Sequence, residues 1–309
     1  MKNKLTAAVI LFLLVFTLVS CNSVTASVTE DTKDETENYF FQDDLVVTDA
    51  KGNTFTLSKA PERVICATPV AGEILAGIGA SMNVVACDVL SSAFLEGNGK
   101  AEVVSFVDAA VLLSYSPDAI FVSPKFYVPE ATLAGLEQAG VKVIHVCDEG
   151  GIDAVRSNIR FFGSVMFKNA AAESLIEEFN GRLALAKAEA SVKNTALRVY
   201  IEHSPGIYAM SSASLVSQLC EYVGFTNLYR SEDVRVPAIS IATAQLDPEL
   251  VVSIFSGADY SVSEVSSRAG WENVTAVKTG KIIHIDYYIA TLPTPGCAEL
   301  LFEILEIIK

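Results

Sequence analysis

Residues 169–192, NAAAESLIEEFNGRLALAKAEASV, decide the architecture of this 309-residue chain. The segment holds strong helix formers, no proline and a single glycine, Gly181, so it predicts one continuous helix. At about 1.5 Å of rise per residue, that helix is on the order of 35 Å long. Its apolar stripe consists of Leu175, Ile176, Phe179, Leu183 and Leu185. The helix is either an ordinary surface helix or a rigid strut between two lobes.

Short apolar runs alternate with helical patterns on both sides of this segment. The strand-like runs are residues 63–67, 84–87, 119–122 and 141–146 before it, and residues 197–201, 249–255 and 281–285 after it. Apolar strands separated by helices are typical of parallel strands that are covered on both faces. The pattern predicts an α/β protein with two lobes, each built on a mostly parallel sheet. We expect the lobes at residues 45–166 and 194–309, and the connecting helix at 167–193.

An internal echo indicates that the two lobes are related. SPDAIFV at residues 116–122 resembles DPELVVS at residues 247–253. AGEILAGIGASMNV at residues 71–84 resembles SQLCEYVGFTNLY at residues 217–229, each being an apolar helix that ends at a glycine before an asparagine. Two such echoes suggest a repeated unit.

The N-terminus has the pattern of an export signal. Lys2 and Lys4 precede an uncharged stretch that ends in Leu18-Val19-Ser20-Cys21, and its apolar run is shorter than the roughly 20 residues that span a bilayer. An Ala-x-Ala-like cleavage site is absent, whereas Leu-x-x-Cys resembles the lipobox of bacterial lipoproteins. That resemblance implies a signal peptide at residues 1–21 and lipidation of Cys21. Residues 22–44 are rich in Ser, Thr, Asp and Glu and predict a flexible acidic tether.

Composition excludes several classes of protein. The chain has 22 Lys and Arg against 37 Asp and Glu, a net charge of −15, and no basic run, which disfavours nucleic-acid binding and charge-driven docking on anionic lipid. Six cysteines are too few for a disulfide scaffold. Cys66, Cys87 and Cys147 end predicted strands, where they act either as small buried hydrophobes or as a cluster of thiolate ligands.

Candidate ligand-binding residues follow from the rule that ligands sit at the carboxyl ends of parallel strands. A helix N-terminus after the first strand favours an anionic group, while lysine, arginine and aromatic side chains after later strands suit a flat anionic chelate. The alternatives are turns, local packing and solvated surface. The candidates are Thr68, Pro69, Val70, Lys125, Tyr127, His203, Tyr208, Met210, Arg268, Tyr287 and Tyr288. His203 and Met210 are also candidate axial ligands to haem iron or cobalt.

Motifs of common enzymes are absent from the sequence. Residues 97–100, GNGK, lack the first glycine and the following Ser or Thr of a phosphate loop, and no nucleophile elbow or zinc-protease motif occurs. A site for a bare zinc or manganese ion normally needs several nitrogen or carboxylate ligands, and the chain has only three histidines. His145 and Cys147 share one face of a strand, either as a metal pair or within the core. We therefore expect a binding protein without catalytic residues, resident cofactor or resident metal.

Several motifs occur in a fixed order along the chain: DAKG at 49–52, PERVI at 61–65, PVAGEILAGIG at 69–79, SPD at 116–118, AGV at 139–141 and WENVTAVKTGK at 271–281. Their order and spacing resemble those of the solute-binding lipoproteins of ABC importers, in the branch that serves iron–siderophore, haem and cobalamin uptake. Together with the long helix these motifs cover about residues 45–309. The resemblance implies two lobes joined by one helix, a ligand cleft between the lobes and only a modest hinge movement.

The same resemblance implies a membrane-anchored, extracytoplasmic receptor that acts as a monomer. Such a receptor captures a small-molecule chelate, a ferric siderophore above all, and delivers it to an ABC permease and its ATPase. Haem or a cobalamin-type corrinoid is the alternative ligand. A Gram-positive cell surface and a periplasm are both compatible with the sequence.

One departure from the family concerns docking. Its members usually carry a Glu seven residues before the Pro of each Pro-Asp motif, and these two carboxylates pair with arginines of the permease. Here Ala110 and Ile241 occupy those positions, with Asp108 nearby in the first lobe. Docking then uses other charges, or the protein is a ligand sensor lipoprotein without a docked transporter.

Overall fold

The computed structural model describes residues 44–308, except for residues 96, 98–100, 194–195, 206–207, 233, 239–240 and 256–261. The predicted signal peptide, its Cys21 and the tether up to residue 43 lie outside the described residues, as do residues 98–100 of the GNGK segment. Within the described ranges, no helix combines the length and the apolar character that a membrane crossing requires.

The first lobe contains a small hairpin and a five-stranded parallel sheet. Its strands are β1 (Leu45–Thr48), β2 (Thr54–Leu57), β3 (Val64–Cys66), β4 (Val84–Cys87), β5 (Glu102–Val103), β6 (Ala119–Val122) and β7 (Lys142–His145). Strands β1 and β2 form the antiparallel hairpin, and the large sheet has the order β5-β4-β3-β6-β7. The order reverses between β3 and β6, so the crevice that doubly wound sheets use for ligands opens beyond these two strands.

Helices cover both faces of this sheet. They are α1 (Pro69–Gly77), α2 (Val89–Ser92), α3 (Ala109–Leu113), α4 (Glu130–Gln138) and α5 (Ile152–Val165). Helix α1 begins at Pro69, since proline is favoured in the first turn of a helix.

Helix α6 (Asn169–Val192) follows α5 and joins the lobes. Near its start Glu173 pairs with Arg160 of α5, and further along Arg182 donates from Nε to Glu299 Oε1 at 2.7 Å in the second lobe. Its buried residues are Ala172, Ile176, Phe179, Leu183, Ala186 and Ala190. The expectation that Leu185 belongs to the apolar stripe is wrong: Leu185 is 59% exposed. Two residues after Leu183, it lies on the opposite face of the helix.

The second lobe repeats the α/β plan. Its strands are β8 (Arg198–Ser204), β9 (Tyr208–Ala209), β10 (Thr226–Asn227), β11 (Leu250–Ser253) and β12 (Ile282–His284). The parallel order is β10-β8-β11-β12, and β9 pairs antiparallel with β8. Its helices are α7 (Leu215–Tyr222), α8 (Val262–Ser266), α9 (Thr275–Thr279), α10 (Tyr287–Thr291) and α11 (Glu299–Ile307). The α/β class with two lobes joined by a long helix is confirmed.

The largest apolar cluster runs through both lobes and α6 without a break. It includes Ile74 of the first lobe, Phe179 and Leu183 of α6, and Leu219 and Leu301 of the second lobe, all buried. A shared, close-packed core resists separation of its parts.

The internal echo corresponds to matching geometry in the two lobes. Ser116 and Asp247, each directly before a proline, have φ values of 48° and 47°, a conformation that non-glycine residues rarely adopt. Two residues further on, Asp118 Oδ1 accepts the backbone N–H of Arg63 at 3.2 Å, and Glu249 Oε2 accepts that of Arg198 at 3.0 Å. In each lobe, a carboxylate at the start of one central strand therefore holds the start of its neighbour.

Candidate functional site

A cleft of about 340 Å³ lies between the lobes, among loops that follow the parallel strands. Its lining residues are Lys125, Glu149 and Gly150 from the first lobe and His203, Met210, Ser214, Leu215, Arg235, Val236, Tyr287 and Thr291 from the second. Of the residues selected from sequence, Lys125, His203, Met210 and Tyr287 come together here. They follow or neighbour different strands, which meet at this point because both sheets direct their carboxyl ends toward it.

Lys125 is a cation from the first lobe that reaches the second. Its Nζ donates to the backbone carbonyl of Asp148 at 2.7 Å and to that of Thr291 at 3.4 Å, and its own N–H donates to Asp148 Oδ2 at 2.6 Å. Burial lowers the pKa of Lys125, and nearby Asp148 and Glu149 oppose that shift. The ammonium group therefore lies at the seam between the lobes, and Lys125 lines the cleft.

The aromatic side of the cleft comes from the second lobe. His203 at the end of β8 meets Tyr287 edge to face at 5.9 Å between ring centroids and Tyr208 at 6.5 Å. Its Nδ1 lies 3.0 Å from Ser204 Oγ. Burial lowers the pKa of His203, which favours the neutral imidazole. Met210 is buried beside it. These side chains offer ring faces and soft donors rather than charge.

Arg235 supplies a second cation that sequence reasoning missed. The segment that carries it pairs with the strand edge beside β9: Ser211 N–H donates to Arg235 O at 2.9 Å, and Ala209 N–H donates to Pro237 O at 3.1 Å. Its guanidinium faces the first lobe, where Nη2 lies 2.7 Å from Glu149 Oε2. No strand pattern marks residues 231–238, so Arg235 is positioned by tertiary pairing alone.

Glu149 was also not selected from the sequence, although the strand-end rule that selected the other candidates applies to it as well. It follows β7 after three intervening residues, at the same sheet edge as Lys125. The sequence CDEGG there reads as a turn. Extending the strand-end rule to every parallel strand would have selected it.

A second, more apolar cavity of about 440 Å³ lies on the other side of α10. Its lining residues are Pro69, Glu73, Leu90, Ala93, Phe94, Asp286, Tyr288, Ile289, Leu292, Thr294, Gly296 and Glu299. Two of the sequence candidates, Pro69 and Tyr288, are placed here. Tyr288 also stacks on Phe126 of the first lobe with 5.6 Å between ring centroids. Helix α10 therefore divides the interlobe space into a polar chamber and an apolar chamber.

Glu73 lines the apolar chamber and links the two lobes. It extends from α1 and accepts the backbone N–H of Gly296 and a hydrogen bond from Thr294. Burial raises the pKa of Glu73, while these two hydrogen bonds oppose the rise.

Four further candidates do not line the polar chamber: Thr68, Val70, Tyr127 and Arg268. Thr68 and Val70 are fully buried, and Thr68 Oγ1 accepts from Ser123 Oγ at 3.0 Å, which joins the loops after β3 and β6. Tyr127 is 81% exposed and borders a shallow cavity with His145 on the first lobe. Arg268 forms ion pairs with Glu202 and Glu264. Ligand contact by Thr68, Val70 and Tyr127 remains a prediction, whereas the two ion pairs of Arg268 indicate a structural role.

Metal-ligating side chains are sparse in the part of the chain that the structure describes, where no cluster of three His, Cys, Asp or Glu forms. The described cysteines are free thiols. Cys66 and Cys87 face each other as register partners on β3 and β4, and burial raises the pKa of Cys87 to about 11. Cys147 differs, since it is exposed and donates from Sγ to Glu149 O at 2.9 Å.

The two positions at which family members carry a docking glutamate hold Ala110 and Ile241 in this chain. Ala110 is exposed on α3, and Asp108 caps that helix by accepting the Ala110 N–H at 2.8 Å. The side chain of Ile241 lies outside the described residues.

Residues 64–288 match the model of the family described as periplasmic binding protein. The chain belongs to this family. A relative from Bacillus subtilis, an uncharacterized ABC transporter substrate-binding lipoprotein named YvrC, is 22% identical over 99% of this chain and 97% of its own length.

Several solved structures have the same fold as this chain. A possible iron-binding, periplasmic solute-binding protein of Staphylococcus epidermidis has a TM-score of 0.72 at 21% identity and covers 81% of this chain and 99% of its own. The periplasmic heme-binding protein RhuT of Roseiflexus sp. has a TM-score of 0.65 at 19% identity and covers 80% and 99%. At these identities the likeness establishes the two-lobed fold.

Proposed function

We propose that this chain is the extracytoplasmic solute-binding lipoprotein of an ABC importer, and that it captures an anionic metal chelate, a ferric siderophore, for delivery to a permease. The observation that carries the proposal is the convergence of Lys125 and Arg235 with the rings of His203 and Tyr287 on one interlobe cleft. The naming of the Bacillus subtilis relative supports the assignment to an ABC transporter.

The charge and shape of the polar chamber favour an anionic, ring-bearing ligand. A guanidinium group binds carboxylate or catecholate oxygens through paired N–H donors, and an ammonium group adds a point charge. Edge-to-face rings at His203 and Tyr287 provide surfaces for a flat ligand. A cavity of about 340 Å³ is at the lower end of the range for small-molecule sites, which suits a compact chelate or part of a larger one.

Haem or a corrinoid is a second candidate, favoured by one observation. His203 lies between two tyrosine rings at the cleft with its pKa lowered by burial, and a neutral imidazole is the form that ligates iron or cobalt. Met210 lines the same cleft and supplies a thioether. In either case the chelate is cargo and not a resident cofactor.

The remaining parts of the proposal concern location and partners. A lipid on Cys21 would tether the protein to the membrane, and the lobes at residues 45–166 and 194–309 would bind the ligand as a monomer. A permease with its ATPase would accept the ligand, with docking contacts other than carboxylates at Ala110 and Ile241. A sensor lipoprotein without a transporter is the alternative for this last step.

The test uses the full chain, extracted from membranes in detergent. We expect quenching of intrinsic fluorescence when a ferric siderophore is added at one equivalent, without product formation. A co-purifying Soret band that shifts in His203→Ala would favour haem instead. Absence of binding with ferric siderophores, haem and corrinoids would overturn the ligand class. Failure of a permease to co-purify from cross-linked membranes would favour the sensor.

A further inference from the structure

Residues 147–151 form a strap that lies between β7 and α5 and contributes Glu149 and Gly150 to the lining of the polar chamber. The strap touches the second lobe directly: Gly151 lies so close to the side chain of Gln218 that a Cβ atom there would be 1.9 Å from Gln218 Oε1, and the Gln218 side chain would have to move. The next residue, Ile152, donates its N–H to the same Gln218 oxygen at 3.1 Å. Gly150 has a φ of 123°, a conformation that residues with a side chain rarely adopt. The strap is therefore built to lie close against the second lobe.

Glu149 extends from this strap and occupies the anion-binding face of Arg235. Its Oε2 lies 2.7 Å from Arg235 Nη2, and both residues line the polar chamber. Their side chains are 54% and 33% exposed, so water reaches the pair and exchange is possible. A carboxylate of the protein itself thus occupies the position that an anionic ligand group would take on this guanidinium.

We propose that Glu149 is a built-in competitor for Arg235, and that an anionic group of the ligand displaces it on binding. The proposal rests on the proposed function, because it needs an anionic ligand in the polar chamber. When the ligand binds, the ion pair between Glu149 and Arg235 is lost and an ion pair between the ligand and Arg235 is formed. Glu149 therefore sets a threshold: a weak or singly charged anion gains little, while a chelate that also reaches Lys125 gains a second cation and binds.

The size of the effect follows from the exposure of the pair. Partly exposed ion pairs contribute up to about 1 kcal/mol, which corresponds to a factor of about five in a dissociation constant. Removal of the competing carboxylate should therefore tighten binding of an anionic chelate by roughly three- to fivefold. A neutral chelate has no anionic group to place on Arg235 and should bind equally well in both forms.

The experiment measures dissociation constants of the full chain in detergent for ferric citrate and for a neutral ferric trihydroxamate. The variants are Glu149→Gln, Arg235→Gln and the double substitution. The control is Glu177→Gln, which removes the same charge from an exposed position on α6. We expect Glu149→Gln to tighten ferric citrate binding, Glu177→Gln to leave it unchanged, and Arg235→Gln to weaken it. In the Arg235→Gln background, Glu149→Gln should give no further gain.

Each alternative outcome has a distinct meaning. If the wild-type chain binds only the neutral chelate, the importer proposal stands and the competitor proposal is overturned. Equal tightening by Glu149→Gln with and without Arg235 would mean general repulsion, and weaker binding of both chelates would mean that the pair merely clasps the lobes; either result overturns the proposal. A chain that binds neither chelate overturns it together with the siderophore assignment.

Discussion

Arg268 Nη1 lies 2.6 Å from Oε1 of Glu202, a carboxylate with no exposed surface at all. The guanidinium bonds both oxygens of this carboxylate and also pairs with Glu264, and it stacks on Trp271 at 5.3 Å from the ring centroid. Tyr200 donates to the same carboxylate at 3.1 Å. Despite the opposing effect of burial, these carboxylates raise the pKa of Arg268 above its ordinary value. Arg268 therefore compensates a buried charge.

Replacement of Arg268 by Met should destabilise the fold and leave ligand affinity unchanged. A buried carboxylate that loses its partner costs about 3–5 kcal/mol of unfolding free energy. Urea denaturation followed by far-UV circular dichroism measures the loss. Arg160→Met is the control, since its pair with Glu173 is exposed on both sides and should change stability little. A stable Arg268→Met protein with weakened chelate binding would contradict this role and restore Arg268 as a ligand residue.

Helix α6 offers a matched pair of leucines for testing its burial. Leu183 is fully buried in the shared core, whereas Leu185 is 59% exposed. Leu183→Ala should lower the free energy of unfolding by about 2–5 kcal/mol, because it removes transfer free energy and leaves a cavity. Leu185→Ala should stay within about 0.5 kcal/mol of the wild type. Equal losses of unfolding free energy in urea denaturation would contradict the assignment of Leu183 to the buried face and Leu185 to the exposed face of the helix.

Local sequence patterns predicted several strands and the long helix well, because runs of apolar residues and of helix formers are visible within a short segment. Continuous apolar runs marked β4 and β6 to the residue, and the uninterrupted helix formers marked α6 at Asn169–Val192. Helix α5 was not predicted as a separate helix. It ends at Val165, and the turn that separates it from α6 depends on Phe167, whose φ of 54° has no signal in the sequence. A turn that depends on one backbone angle of a non-glycine residue is set by its surroundings.

The cleft was predictable only in part, for a physical reason. Strand-end position selected Lys125, His203 and Tyr287, because sheet geometry fixes where strand ends point. The same rule selected Thr68, but the chain enters α1 directly after β3 and its first turn packs in the core. The partner of Arg268 is 66 residues away along the chain. Such long-range pairing of charges leaves no periodic trace in a single sequence.

Glu73 should make stability depend on pH in a definite direction. Its pKa in the folded state is raised, so the folded state holds this proton more tightly than the unfolded state does. The corresponding stabilisation is fully present below the unfolded-state pKa and is lost as the pH rises through the folded-state pKa. Glu73→Gln carries no such proton, so its stability relative to the wild type should increase from pH 4 to pH 7.

Urea denaturation at pH 4, 5.5 and 7 checks this trend. Glu137→Gln, an exposed residue at the end of α4, is the control and should show no comparable change with pH. A Glu73→Gln protein whose relative stability falls as the pH rises would show that the ionised carboxylate is the stabilising form at Gly296.

Lys125 should control both the affinity for an anionic chelate and its pH dependence. Lys125→Met keeps most of the side-chain length but removes the charge, and the loss of one charge-assisted contact of about 1.5–3 kcal/mol weakens binding by at least about tenfold. Because burial lowers the pKa of Lys125, wild-type affinity should begin to fall at a lower pH than a free lysine would dictate. Lys125→Arg should bind without that decline, since arginine stays charged. Titrations with ferric citrate from pH 7 to pH 10 measure these trends, with exposed Lys278→Met as the control. A pH profile shared by wild type and Lys125→Met would assign the decline to another group.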